Sequence, residues 1–372
     1  MNTRSMLDIV LSDILQVVTP LQEDWEIRFA IINDLRSVIE SVESLRGGGS
    51  NLQFISNARV PILKFKSNRQ GISCDISINN LPGQMKSKIL LWINRIDGRF
   101  HDMVLLVKEW AKAHKINNSK AGTFNSYSLS LLVIFHFQTC VPAILPPLKD
   151  IYPGNMVDDL RGVRADAENL IAETCDANIN QFISVKSRPI NRKSLPELFV
   201  EFLRKFAQMV SWASELGLSP HTGQWEQIKN NMRWLPKTYA IFVEDPFEQP
   251  QNTARSVSTG QMKKITEAFL RTYSLLTSKN QNQVSLLTNL ASPQVSRFNT
   301  KPVVIRNYSG SYFPPTQPQV QRVIRPRLQS RHFQNANNQE TSSNSSSSKG
   351  HVQVHKGHQM WRPKIQKQTL LP

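Results

Sequence analysis

An α+β fold, mostly helical and followed by a basic tail, is what the sequence predicts, on three observations. Apolar residues recur at helical spacing through most of the chain up to Leu276. Three short β-like segments interrupt them between Leu52 and Ile78. Past Lys279 the composition turns to Asn, Gln, Ser, Pro and Arg, with a serine tract at Ser345 to Ser348, too poor in apolar residues to fold.

In chain order, Leu7, Val10, Leu11, Ile14, Leu15 and Val18 mark a first helix, which Thr19-Pro20 ends. A second is expected to run to about Leu45, with Trp25, Phe29, Ile32, Leu35, Ile39 and Val42 as its core face. Gly47 to Ser50 stops it. The β-like segments are Leu52 to Ser56, Val60 to Lys66 and Ile72 to Ile78. In the last, Ile72, Cys74, Ile76 and Ile78 alternate with Ser73, Asp75 and Ser77, so Asp75 points away from the apolar face, to solvent or to a site beyond the sheet.

Asp102 to Gln138 reads as two buried helices joined by a polar loop. Met103, Leu106, Val107 and Trp110 form the buried side of the first, while Lys108 and Lys112 stand four apart on one face. The loop Asn117 to Gly122 leads to Ser126-Tyr127, which open a second helix almost free of charge. A hydroxyl at a helix N-terminus near two lysines suits a polyphosphate; the same lysines could equally snorkel to water from a helical hairpin. Further on come a proline-punctuated loop from Pro142 to Pro153, an apolar helix Leu195 to Leu216, a strand-like run within Trp234 to Val257 that ends in Asp245 and Glu248, and a helix Ser258 to Leu276 expected to close the folded part.

The net charge of +17 is concentrated at one end. From Gln251 onward stand 17 Lys or Arg against two Glu and no Asp, so the remainder is nearly neutral. Such a polycation either binds phosphate backbones without reading sequence or only solubilises. Cys74, Cys140 and Cys175 are widely spaced and offer neither a zinc pattern nor a disulfide framework, which suggests a reducing compartment. No apolar run is long enough to span a membrane, so none is expected as a partner, and residence in cytoplasm, nucleus or both is expected.

Residues 58–67, 73–80, 97–148 and 234–257 together resemble the noncanonical poly(A) polymerase and terminal uridylyltransferase family, and are most similar to its plant small-RNA uridylyltransferases. The resemblance implies a polymerase-β-like nucleotidyltransferase lobe joined to a helical central domain, with UTP and a single-stranded RNA 3′ end meeting between them. Two Mg²⁺ or Mn²⁺ ions held by three carboxylates would assist attack of the 3′-hydroxyl on the α-phosphate. On the matching motifs, Lys108 and Lys112 would hold the triphosphate, Ser126 a phosphate oxygen, and Tyr127 would stack on uracil. Asp245, Glu248 and Gln251 would line the base pocket, and Asp75 would be the third catalytic and metal-binding carboxylate. Arg255, Arg322, Arg325 and Arg327 are the candidate RNA contacts, and small-RNA effector proteins of the Argonaute type are candidate partners.

The chain departs from the pattern at three places. Lys86 stands where many relatives have an Asn, and Gln251 where some uridylyltransferases have a His. The third departure is larger: the family's Gly-Ser loop and strand-borne Asp-x-Asp, which supply two metal ligands, are not followed here. Gly49-Ser50 is a candidate remnant of that loop, yet between Glu43 and Asp75 there is no Asp or Glu. The expected organisation is N-terminal helices (1–46), a palm-sheet remnant (47–85), a helical central domain (86–278) and a disordered basic tail (279–372). Two functions stay open: a UTP:RNA uridylyltransferase or related poly(A) polymerase, and a shortened, catalytically defective relative that binds RNA and nucleotide.

Overall fold

The computed structural model describes residues 5–298, apart from 41–48, 58–59, 68–70, 79, 161–163, 236–238 and 280. All of these fall within one compact unit, Met1–Ile305. Arg322, Arg325 and Arg327 lie outside the described residues.

Helix α1 (Met6–Val18) starts at Ser5, whose side chain accepts from the Asp8 N–H while the Asp8 carboxylate accepts from the Ser5 N–H. Leu7, Val10, Leu11 and Ile14 are buried as the spacing predicts. Helix α2 (Gln22–Glu40) keeps its predicted existence but not its predicted face. Among the described side chains Ile31 is buried, Ile32 is exposed, and Trp25, Phe29 and Leu35 are half-buried, while Ile39 and Val42 of the expected face lie outside the described side chains. Among the described residues no other element packs broadly on this helix, so none of them enforces the expected stripe.

Strands β1 (Gly49–Ile55), β2 (Ile62–Ser67) and β3 (Ser73–Ser77) form an antiparallel meander in that order. Gly49 and Ser50 pair with Ser67 and Lys66. They are therefore strand, which corrects their reading as a surviving Gly-Ser loop. Phe54 and Ile78 are largely exposed, so the small sheet is thinly covered.

The helical body follows. Helices α3 (Leu81–Ile93) and α4 (Arg99–Ala113) lead to α5 (Ser126–Thr139), which is buried on every side from Ser128 to Gln138. A helix with no polar face belongs at the centre of a domain, and α5 sits there. It packs against α4 and α8 (Leu195–Phe206); α6 (Met156–Asp159) and α7 (Arg164–Ser184), which packs on α3, precede α8, and α9 (Met209–Trp212) follows it. Next come a hairpin of β4 (Leu216–Ser219) and β5 (Gln224–Gln227), and helix α10 (Thr259–Thr277). Phe202, Phe206 and Phe269 meet with ring centroids 5.0 to 5.9 Å apart.

Two expectations are corrected. The helix from Leu195 to Leu216 is instead α8, a break at Ala207-Gln208, α9 and the start of β4, because Leu216 pairs with Gln227. The ordered part also continues past Lys279, through α11 (Gln283–Leu290) and α12 (Pro293–Phe298), both packed on α1. Leu286, Leu290 and Ala291 are buried there, so residues 281–298 are body rather than tail.

Candidate functional site

The α4–α5 hairpin supplies two groups of predicted site residues. On α4, Lys108 is half-buried and Lys112 exposed. Burial pushes the Lys108 ammonium below its usual range, and the Lys112 charge pushes the same way. Four residues apart, the two lysines share one side of α4. Lys112 is steadied by Glu109 at 3.4 Å, a buried carboxylate that also accepts from the Ser292 N–H at 3.0 Å.

The loop after α4 turns at Gly122, whose φ of +75° disfavours any side chain; a Cβ there would sit 2.9 Å from Ser258 Oγ. Asn125 caps α5 by accepting from the Ser128 N–H at 2.8 Å, and its Nδ2 donates to the Thr253 carbonyl at 2.9 Å. One side chain therefore ends the loop and fixes α5 to the segment carrying Asp245. Ser126, the first residue of α5, is exposed and shares hydrogen bonds with Asn117 at 3.2 and 3.3 Å.

Asp245 and Glu248 lie in a buried turn. Leu218 of β4 bonds to the backbone on both sides of Val243, and the Glu244 side chain accepts from Ser219 Oγ at 2.5 Å and from Trp234 Nε1 at 3.4 Å. Burial raises the Glu244 carboxyl above its ordinary value. The turn itself is built by Asp245: its Oδ1 accepts the N–H groups of Phe247 at 3.0 Å and Glu248 at 3.2 Å, and its own N–H donates to the Gln251 carbonyl at 2.7 Å. Gln251 contributes this backbone brace, while as a residue it is exposed.

Tyr127 joins the turn. Its hydroxyl donates to Asp245 Oδ1 at 3.1 Å, and burial, reinforced by that carboxylate, drives the phenol well above its usual range, so it stays neutral and donates. Lys86, on the second turn of α3, completes the cluster with its Nζ 2.5 Å from Asp245 Oδ2 and 3.2 Å from Glu248 Oε1. Lys86 and Glu248 also form one wall of a cavity of about 380 Å³, whose other wall is Val60, Pro61 and Ile78 at the ends of the small sheet. The structure thus brings Tyr127, Asp245 and Glu248 together beside a cleft. Of this cluster Lys86 and Glu248 line the cleft, while Tyr127 and Asp245 contact Lys86 beside it; a ring, two buried carboxylates and one ammonium together suit a planar ligand with N–H donors and carbonyl acceptors.

Asp75 belongs to a different setting. On β3 it faces Lys64 of β2 across the ladder, Nζ to Oδ2 3.3 Å, with its side chain half-exposed. Among the described residues no group of three His, Cys, Asp or Glu is placed to hold a metal ion. Arg255 is exposed near the start of α10. Sequence reasoning missed the anchoring roles of Asn125 and Glu244 and the capture of Lys86. The Asn before a helical run was a legible capping signal. The Lys86 pair, 159 residues apart in sequence, was not.

A family profile described as the central palm domain of mitochondrial-like poly(A) RNA polymerase matches residues 4–95. Protein HESO1 of Arabidopsis thaliana is 48% identical over 340 residues, an alignment covering 76% of this chain and 66% of that protein. The poly(A) RNA polymerase GLD2 of Rattus norvegicus is 30% identical over 241 residues, covering 64% of this chain and 46% of that one. The chain thus spans about two thirds and about half of these relatives' lengths. In the HESO1 alignment, 76% of the 372 residues is about 283, so about 57 of the 340 aligned positions have no residue here. A solved cytoplasmic RNA terminal U-transferase superposes with a TM-score of 0.60 at 20% identity, over 77% of this chain and 99% of that one, which shows a shared fold.

Proposed function

From a chain that belongs to the noncanonical poly(A) polymerase and terminal uridylyltransferase family, we infer a nucleotide- and RNA-binding member of the uridylyltransferase branch whose phosphoryl-transfer centre is incomplete. The observation that carries this is the isolation of Asp75. Its only ion pair among the described residues is with Lys64, and no second or third carboxylate accompanies it. Magnesium and manganese ions bound to a nucleotide's phosphates require several protein oxygens, and one ion-paired aspartate does not supply them. The residues present do not fit the two-metal site the family's chemistry implies, and no transfer step is derived through it.

The sequence supports the same reading, since Gly47 to Ser50 runs straight into Asn51 and no Asp or Glu stands between Glu43 and Asp75. The binding half of the apparatus is retained. Lys108 and Lys112 would hold the triphosphate, with Ser126 at one of its oxygens. Tyr127, Asp245 and Glu248 would receive the base. UTP is the proposed nucleotide, and single-stranded RNA 3′ ends are the proposed polymer, held by Arg255 and the basic tail. Argonaute-type effectors are proposed partners, with residence in cytoplasm, nucleus or both; the lineage would place the chain in decay of small RNAs or mRNA fragments.

The intact Tyr127–Asp245–Glu248 cluster favours a second reading, an active UTP:RNA uridylyltransferase or a poly(A) polymerase. Equilibrium binding at physiological salt tests the first. The purified chain should bind a labelled single-stranded RNA and should bind UTP; absence of RNA affinity would refute the binding role.

A further inference from the structure

The three groups that would receive a base are already engaged by one side chain of the same protein. Lys86 Nζ touches both carboxylates, and it lies over the Tyr127 ring at 5.3 Å from the centroid. Its side chain is only 14% exposed and those of Asp245 and Glu248 are 5% and 4% exposed, so water competes weakly for these contacts. We propose that Lys86 is the resident occupant of the base pocket: its ammonium closes the site in the nucleotide-free chain, and a nucleobase enters by displacing it. The inference rests on the cleft being a nucleotide site and adds how its occupancy is controlled.

Geometry makes the two occupants mutually exclusive. A base stacked on Tyr127 would put its ring centre roughly 4.5 to 7 Å from that of the phenol, the shell the ammonium already fills. Its ring N–H would need a carboxylate oxygen that Lys86 now holds. The exchange replaces hydrogen bonds charged on both sides by bonds charged only at the carboxylate, so it runs uphill at the base and must be offset at the triphosphate. The pair Lys108 and Lys112 is where such an offset would arise, with the partly buried Lys108 ammonium waiting for a counter-charge. A released Lys86 also has somewhere to go, because its flexible stem already borders the 380 Å³ cavity.

Asp245 does not collapse when the lysine leaves. It retains the Tyr127 hydroxyl and the N–H groups of Phe247 and Glu248. Removing the ammonium should therefore free the pocket rather than destroy it.

The test is amine labelling of the wild-type full chain with acetic anhydride, read by mass spectrometry with and without UTP. Lys108 and Lys112 should become protected as UTP binds, while labelling of Lys86 rises severalfold. Protection of Lys108 and Lys112 with Lys86 unchanged or more protected would overturn the proposal and leave the nucleotide site standing. Protection nowhere would overturn both. As a second measurement, Lys86→Met should bind UTP about fivefold to tenfold tighter by calorimetry; weaker binding would make Lys86 a direct ligand and refute the displacement.

Discussion

Replacing Asp245 by Asn tests whether one carboxylate holds the pocket together. The amide has nearly the same shape and keeps an oxygen where Oδ1 now accepts from Tyr127 and two backbone N–H groups. At Oδ2 it puts an NH₂ in front of the Lys86 ammonium, which stands 2.5 Å away. A charge-assisted bond worth about 1.5 to 3 kcal/mol is lost, and donor then faces donor. Full removal of one partner from a buried pair costs about 3 to 5 kcal/mol. Here Glu248 still holds the ammonium at 3.2 Å, so the expected loss is lower, about 2 to 3 kcal/mol. Urea unfolding of Asp245→Asn should show that loss as a lower midpoint at unchanged slope. In the Lys86→Met background the same substitution should cost about 1 kcal/mol or less, because the facing charge is gone. Equal costs in the two backgrounds would mean that the ion pair does not organise this turn, and the structural reasoning would fail.

Two further outcomes follow from other parts of the molecule. His136 is buried, and its pKa is pushed down to about 3, chiefly by burial and then by Lys205, so it is neutral in the fold. Its unfolded value is near 6.5, so the unfolded chain takes up a proton that the folded chain refuses; the histidine's contribution is intact above that pH and is lost as pH falls toward about 3, by up to about 1.4 kcal/mol per pH unit. A His136→Phe variant should show a shallower acid slope in pH-dependent unfolding, and an identical slope would contradict this. For the tail, a chain ending at Ile305 should melt like the full chain while losing RNA affinity and much of its salt dependence, since ten Lys or Arg against one Glu lie beyond that point. A chain ending at Lys279 should instead lose roughly 3 kcal/mol or more of stability with the burial of Leu286 and Leu290, and a stable product would argue against that packing.

Much of the helical body was legible because its information is local. The α4–α5 hairpin, the existence of α1 and the three short strands follow from apolar spacing, turn residues and alternation. The missed features depend on neighbours distant in sequence. No Gly or Pro marks the break after α8; the chain turns there because Leu216 finds its partner in β5. Helix α11 interleaves Gln283, Ser285, Thr288 and Asn289 with Val284, Leu286, Leu287 and Leu290, and its packed face was overlooked within a stretch whose overall composition reads as loop. The wrong face assigned to α2 has the opposite cause: its apolar periodicity anticipates a covering surface that the described residues do not supply. At the site, motif residues were legible one by one, but the ion pair joining α3 to the Asp245 turn was not, since periodicity is blind to contacts across the fold.

That this family member retains the nucleotide cleft without a complete metal centre is tested most directly by a tailing assay. The purified chain would be incubated with labelled single-stranded RNA bearing a free 3′-hydroxyl, each nucleoside triphosphate in turn, and Mg²⁺ or Mn²⁺, alongside Asp75→Ala. The expected result is RNA bound and no extension in either protein. Extension by UTP that disappears in Asp75→Ala would contradict the account and show that Asp75 works within a complete catalytic centre.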